Sequence, residues 1–283
     1  MRFLDELHVV RDLALRCGQL ALDVRARGAS ALAATDKPDD QGLVTAADTA
    51  INRIIVETLQ KAFPDDAIVA EETTEDFCPG TPLANNRCWF IDPIDGTRDY
   101  ADGDPGWAVQ IGLCEGGAPA FGLIFEPTVQ RLSWGGREIG ATAEIVGEAA
   151  KPVTRTHREL DSLELVSSKN HASPRIREVM HALDIPESRN LRIGSVGVKI
   201  STISRGETDV YIHPRGGTKS WDTCAPQAIL EGAGGTMSDL LGQPLRYDGA
   251  DLVNRSGLLA CHAYHEEIVA KLAPLAQAWF VAS

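Results

Sequence analysis

The segment Trp89-Phe90-Ile91-Asp92-Pro93-Ile94-Asp95-Gly96-Thr97 is an apolar stretch that ends in two carboxylates, with a proline between them. Proline fixes φ and removes a backbone donor, while glycine lets the chain turn sharply, so both carboxylates and the intervening Ile94 carbonyl can converge on cations at a strand end. Hard, oxygen-seeking metals are the chemistry such a corner suits. The ordinary alternative is a pair of Asx-type turns, because D-P and D-G dipeptides are common where strands stop.

Three further acidic positions bear on that choice. Ile68-Val69-Ala70 has the pattern of a buried strand and ends in adjacent acids, Glu71 and Glu72. Such a like-charged pair is tolerable in water or beside a cation; alone, it reads as a solvated turn. Asp48 follows Thr45 by three residues and precedes Ile51, Ile54, Ile55 and Leu59, where a capping role at a helix start accounts for it without chemistry. In Trp221-Asp222-Thr223-Cys224-Ala225-Pro226, the proline is expected in a first helical turn, which places Asp222 at that helix's N-terminus, and capping again suffices. Arg215 in a glycine-rich loop, His171 after a strand, and Lys199 in Gly194-Ser195-Val196-Gly197-Val198-Lys199 are, taken singly, ordinary surface or core side chains.

Leu4, Leu7, Val10, Leu13, Ala14, Cys17, Leu20, Ala21 and Val24 recur at helical spacing and predict one long helix over residues 3–27, ended by Gly28. A capped second helix follows Thr45 and is broken at Pro64-Asp65-Asp66. Strands are expected at Ala67–Ala70, Cys88–Ile91, Trp107–Leu113 and Ala120–Phe125, the last two joined by a turn at Glu115-Gly116-Gly117. Residues 136–160 lack a strong period, which sets a boundary near 155. An N-terminal α+β half (1–155) then carries most of the acidic candidates, and a C-terminal α/β half (156–283) carries the remaining loops. Beyond the boundary the pattern reads strand 163–166, helix 174–183, helix 196–204, strand 210–212, helix 223–233, strand 257–260 and a final helix. That alternation is an α/β class.

Composition narrows the partners. With 27 Lys+Arg against 40 Asp+Glu, the net charge of −13 argues against a nucleic-acid polymer or an anionic membrane surface. An anionic small molecule remains compatible where metal ions or local Arg and Lys reverse the sign inside a cleft. Six cysteines lie scattered, without a C-x-x-C pair, and are expected to be reduced thiols. The amphipathic N-terminus is unlike a signal peptide, and no apolar run approaches the ~20 residues of a membrane span, so a cytoplasmic protein is expected.

Together the acidic segments resemble a family. V-T-A-A-Asp48, A-Glu71-Glu72, Asp92-P-I-Asp95-G-Thr97 and W-Asp222 followed by A-G-Gly235 are similar in order and interval to the inositol monophosphatase family of metal-dependent, lithium-sensitive phosphatases, from Lys37 to about Ala260. The details resemble its 3′(2′),5′-bisphosphate nucleotidase branch. Gly96-Thr97-Arg98-Asp99-Tyr100 looks like G-T-K-E-[FY]. Ser168-Lys169-Asn170-His171 looks like S-x-S-H, with Asn170 where the branch has its second serine. Pro214-Arg215 and Trp221-Asp222-Thr223-Cys224-Ala225 look like P-R and W-D-T-[AC]-A. Inositol phosphatases place a glutamate seven residues before the aspartate of the W-D motif; here that residue is Arg215, whose guanidinium suits a second phosphate.

The resemblance implies a layered αβαβα sandwich and a phosphomonoesterase that uses two or three Mg²⁺ ions. It assigns one ion to Glu71, Asp92 and the Ile94 carbonyl, and another to Asp92, Asp95 and Asp222. It implies that Asp48 and Thr97 activate the attacking water, with Glu71 also contacting it. Substrate contacts fall on Gly96, Thr97, His171, Gly194, Ser195, Lys199 and Arg215. A small phosphorylated substrate is the implied partner, and a homodimer is a common family state. The rival readings are an inositol monophosphatase or related small-molecule phosphatase, and a non-catalytic metal- or phosphate-binding regulator. A silent relative is expected to have lost one of Asp48, Glu71, Asp92, Asp95, Thr97 and Asp222, and all are present.

Overall fold

Leu7, Val10, Leu13, Ala14, Cys17 and Ala21 are buried along one face of the first helix, α1 (Leu4–Ala26), at the spacing the sequence shows. The structure is a computed structural model and describes residues 2–37, 42–76, 86–153, 157–169, 173–248 and 251–281. Helix α2 (Ala46–Ala62) starts at the N-cap Thr45 and packs on α1 through Ala47, Ile51, Ile55 and Leu59. Both helices cover one face of a seven-stranded sheet.

That sheet runs in sequence order: β1 (Ala67–Ala70), β2 (Arg87–Asp95), β3 (Ala108–Glu115), β4 (Ala118–Glu126), β5 (Arg131–Gly136), β6 (Gly140–Ile145) and β7 (Lys151–Pro152). Only β1 and β2 pair in parallel. Alternate residues of β2 go to opposite sides, Trp89 and Ile91 toward the helices α1 and α2, Cys88 and Phe90 toward the core on the other face.

A second sheet of five strands has the order β9 (Asn190–Ile193), β8 (Leu165–Ser168), β10 (Val210–His213), β12 (Leu258–Cys261), β11 (Thr236–Ser238). Strands β9, β8 and β10 are parallel, and β12 runs antiparallel to both of its neighbours, β10 and β11. Between the sheets lie α5 (Val196–Ser204) and α6 (Ser220–Gly232). Outside the second sheet lie α4 (Pro174–Ala182) and α7 (His265–Phe280). The layers are therefore α, β, α, β, α, as expected.

Helix α6 presses closely on the first sheet. A Cβ at Gly122 of β4 would lie 2.2 Å from the Ala225 carbonyl oxygen, so this contact needs glycine. That packing carries Asp222, in the first turn of α6, back to the end of β2. Pro226 stands in the second turn of α6, not the first, because the helix begins at Ser220. It lacks the N–H that would reach the Asp222 carbonyl, yet Asp222 keeps its N-terminal place.

Strands β5, β6, β7, β9 and β11 are absent from the sequence reading. Gly, Ala and Thr dominate Gly140–Ile145, and small residues lining a close contact leave no strong hydrophobic period. Strand β2 also runs on to Asp95. The described cysteines Cys17, Cys88, Cys114, Cys224 and Cys261 are free and buried; Cys78 lies outside the described residues. Among the described residues no helix is long and apolar enough to cross a membrane.

Candidate active site

At the end of β2, the pairing with β3 is regular up to Asp92 and irregular between Asp92 and Asp95. Gly96 then adopts φ +89, and a short helix, α3 (Thr97–Asp102), begins at Thr97. A side chain at Gly96 would be strained by that φ, and its Cβ would lie 2.8 Å from the Gly106 carbonyl oxygen. The turn aims Asp92, 2% exposed, and Asp95, 7% exposed, into the space between the two sheets.

Asp48 serves two partners. Its Oδ2 accepts the Thr45 N–H at 2.8 Å and the Thr45 hydroxyl at 2.5 Å, completing a capping box. Its Oδ1 accepts the Thr97 hydroxyl at 3.2 Å, while that hydroxyl also lies 3.0 Å from the Ile94 carbonyl. Burial pushes the Asp48 carboxyl up to about 6, against the hydrogen bonds from Thr45. Capping and a Thr–Asp pair are thus both present.

Glu71 opens the 3₁₀ turn after β1, and Asp222 accepts the Lys219 N–H at 2.7 Å. Burial, then the fields of Glu71, Asp95 and Asp222, raises the Asp92 carboxyl well above the ordinary range. Asp222 is raised in the same way by burial, Asp95 and Glu71. Asp92 Oδ1 is buried with no hydrogen-bond partner. An orphaned carboxylate oxygen amid three like charges is the environment a cation relieves. Among the described residues no three carboxylate, imidazole or thiol groups already close on one point. Mg²⁺ keeps several waters and substrate oxygens in its shell and needs only one or two protein carboxylates. Glu71, Asp92, Asp95, Asp222 and the Ile94 carbonyl are therefore a donor set that fits a hard divalent ion.

Lys37 is a neighbour that the acidic motifs do not include. Its ammonium donates to Glu71 Oε1 and Glu72 Oε1, each at 2.7 Å. Burial opposes its charge, but the two glutamates outweigh that and raise its pKa. Asp99, 2% exposed, stands in the G-T-K-E-like motif without an assigned role; it accepts the Gly194 N–H at 3.1 Å and so ties α3 to the loop before α5.

The expected substrate contacts divide. Gly96 and Thr97 lie at the carboxylate cluster. Ser195 is fully buried, donates to Asp95 Oδ2 at 2.5 Å, accepts the Val198 N–H at 2.9 Å, and has its own N–H on the Gly106 carbonyl. Lys199 is 1% exposed; its ammonium donates to the Gly194 carbonyl at 2.7 Å and lies 5.0 Å from the centre of the Tyr211 ring. Burial pushes it down to about 8, resisted by Asp95, Asp99 and Asp222. Both side chains turn inward, Ser195 onto Asp95 and Lys199 onto the Gly194 carbonyl, because α5 packs between the sheets. His171 lies outside the described residues.

Arg215 is exposed, and among the described residues it has no ion-pair or hydrogen-bond partner. It lines a crevice with Ser168, Ser173, Arg192, His213 and Pro214. Arg175 adjoins this crevice, with its guanidinium 4.9 Å from the centre of the Trp279 ring and a 3.1 Å hydrogen bond to the Pro214 carbonyl. Chain order explains the crevice. From β8 the chain crosses by α4 to β9 on one side, then by α5 to β10 on the other, and open α/β sheets bind ligands where that order reverses, beyond the strands' carboxyl ends.

The model of the inositol monophosphatase family matches residues 5–277. The chain belongs to that family. Similar proteins include a histidinol-phosphatase of Mycobacterium tuberculosis, 31% identical over 95% of this chain and 98% of that protein. A 3′-phosphoadenosine 5′-phosphate phosphatase of Mycobacterium bovis is 32% identical over 93% of this chain and 90% of its own length. Among solved structures, a Thermotoga maritima IMPase superposes with a TM-score of 0.78 at 22% identity, covering 97% of this chain and 99% of that one. An inositol monophosphatase fold with phosphatase relatives makes this chain a phosphoric monoester hydrolase of a metal-dependent family.

Proposed function

We propose that the protein is a magnesium-dependent 3′(2′),5′-bisphosphate nucleotidase that converts adenosine 3′,5′-bisphosphate to AMP and phosphate. The observation that carries this reading is Arg215 in a crevice lined also by Arg192 and adjoined by Arg175, with no carboxylate among its described lining residues. A chain of net charge −13 has few places where a second phosphate is welcome, and this is one. An inositol ring would instead ask for acceptors of its hydroxyls. Histidinol phosphate carries an amine, which the guanidinium of Arg215 would repel.

In this reading Glu71, Asp92, Ile94, Asp95 and Asp222 hold the ions. Bound there, Mg²⁺ acidifies water and neutralises charge on the phosphoryl group. The chain's own part is orientation and proton transfer. The Thr97 hydroxyl accepts from the attacking water and passes its own proton toward Asp48 Oδ1. The burial of Asp48 raises its basicity toward neutral pH, where a general base works best. Thr97→Val is accordingly expected to lower kcat roughly 10²–10⁴-fold, the usual range for such a group, with KM changed only a few-fold. Phosphate release that stays near the wild-type rate would remove Thr97 from the reaction.

Lithium inhibition is expected as well, because the family resemblance places an exchangeable ion beside Asp95 and Asp222. A panel of adenosine 3′,5′-bisphosphate, inositol 1-phosphate and histidinol phosphate, assayed with magnesium and then with added lithium, tests the reading. The bisphosphate must have the highest kcat/KM. Preference for either other ester would reject the nucleotidase assignment, and full activity in excess lithium would reject the inhibition.

A further inference from the structure

Inside strand β3, ahead of its end at Glu115, one polar side chain interrupts the apolar run: between Val109 and Ile111 stands Gln110, which is fully buried. In the register of β2 and β3 it lies directly across from Asp92, the last regular pair before the chain breaks step toward Asp95. Its amide Nε2 donates to Asp95 Oδ2. Its Oε1 is buried with no hydrogen-bond partner. A glutamine kept in an apolar strand with one end unsatisfied is not there for stability, because an unpaired buried carbonyl is a cost.

We propose that Gln110 is a positioning residue for Asp95, deciding which carboxylate oxygen faces the cation site. Asp95 Oδ2 accepts from Gln110, from the Ser195 hydroxyl and from the Gly197 N–H at 2.6 Å, while Oδ1 accepts only the Val196 N–H at 3.2 Å. Three donors saturate Oδ2, so Oδ1 alone retains a lone pair for an ion. The residues Ser195 to Gly197 that supply these donors form the N-terminal end of α5. Without Gln110 the carboxylate can pivot about this end. Gly197 is part of the same clamp: a Cβ there would lie 2.6 Å from both Cδ and Oε1 of Gln110, so only glycine leaves room for the amide.

This inference rests on Asp95 being a metal ligand, and the test separates the two. Magnesium binding to the full chain is measured by calorimetry for wild type, Asp95→Asn, Gln110→Met and Gly197→Ala, with the magnesium dependence of turnover measured in parallel. Gln110→Met keeps the volume and removes the donor. Gly197→Ala displaces the amide from the other side and keeps the test open if the first variant does not fold. Both are expected to weaken magnesium binding about 10–100-fold, the usual effect of removing a partner that orients a ligand, with kcat at saturating magnesium within about threefold of wild type. Weakening by Asp95→Asn but not by the other two would overturn the role of Gln110. No weakening by Asp95→Asn would instead overturn the ligand assignment on which it stands.

Discussion

Asp92→Asn is expected to lower kcat/KM by about 10³-fold or more and, without divalent cations, to leave a folded chain that melts at higher temperature than wild type. The loss follows from Asp92 being the carboxylate shared by both ion positions in the proposed arrangement: a neutral amide cannot hold two cations. Charge stabilisation by such ions supplies several kcal/mol at the transition state, and each ~1.4 kcal/mol is tenfold in rate. The gain in stability has the opposite origin. Asp92 is 2% exposed, has an unpaired Oδ1, and faces Glu71, Asp95 and Asp222. Replacing one buried like charge by an amide of the same shape relieves that crowding. In a chain of this size each kcal/mol recovered raises Tm by about 2–4 °C. Magnesium should raise the Tm of wild type and leave that of the variant nearly unchanged. A variant that keeps its turnover, or melts lower than wild type in chelator, would contradict the cluster as drawn.

Such a site is stabilised for its ligand at the expense of the empty protein, and that is also why part of it could be read from residues alone. The acids at Asp48, Glu71, Asp92, Asp95 and Asp222 each break an apolar period or open a helix, so each leaves a mark in the sequence. Thr45 and Asp48 look like a cap because they are one; that Asp48 has a second oxygen for Thr97 depends on α2 and α3 meeting, which local spacing does not contain. Gln110 is the converse case. A single amide in an apolar strand signals only that some partner exists, and Asp95 is identified as that partner once β2 and β3 are in register. Ser195 and Lys199 show a third limit, since their motif gives their order but not that α5 is buried between two sheets and turns both side chains inward. The layers themselves were legible wherever apolar residues alternate or recur. They were not legible in Gly140–Ile145, where glycine and alanine make the packing close and the period weak.

Arg215 carries the largest expected change in substrate choice. If its guanidinium meets the 5′-phosphate, Arg215→Ala should raise KM for adenosine 3′,5′-bisphosphate far more than for adenosine 3′-monophosphate. A hydrogen bond to a charged group contributes about 1.5–3 kcal/mol, so the selectivity between the two should fall roughly tenfold to a hundredfold. The comparison isolates the second phosphate because the reacting ester is the same in both. Fold effects should be small: Arg215 is exposed, and among the described residues it has no partner to abandon. The neighbouring Arg175 is a useful contrast, since it is held by Trp279 and the Pro214 carbonyl and its removal would disturb the loop that presents Arg215. Arg215→Glu should go further, repelling the 5′-phosphate and offering acceptors to a polyol, so that inositol 1-phosphate becomes the better substrate of the variant. Equal losses on both nucleotides would show that Arg215 does not read the second phosphate; a wild type that already prefers inositol 1-phosphate would leave only the phosphatase chemistry standing.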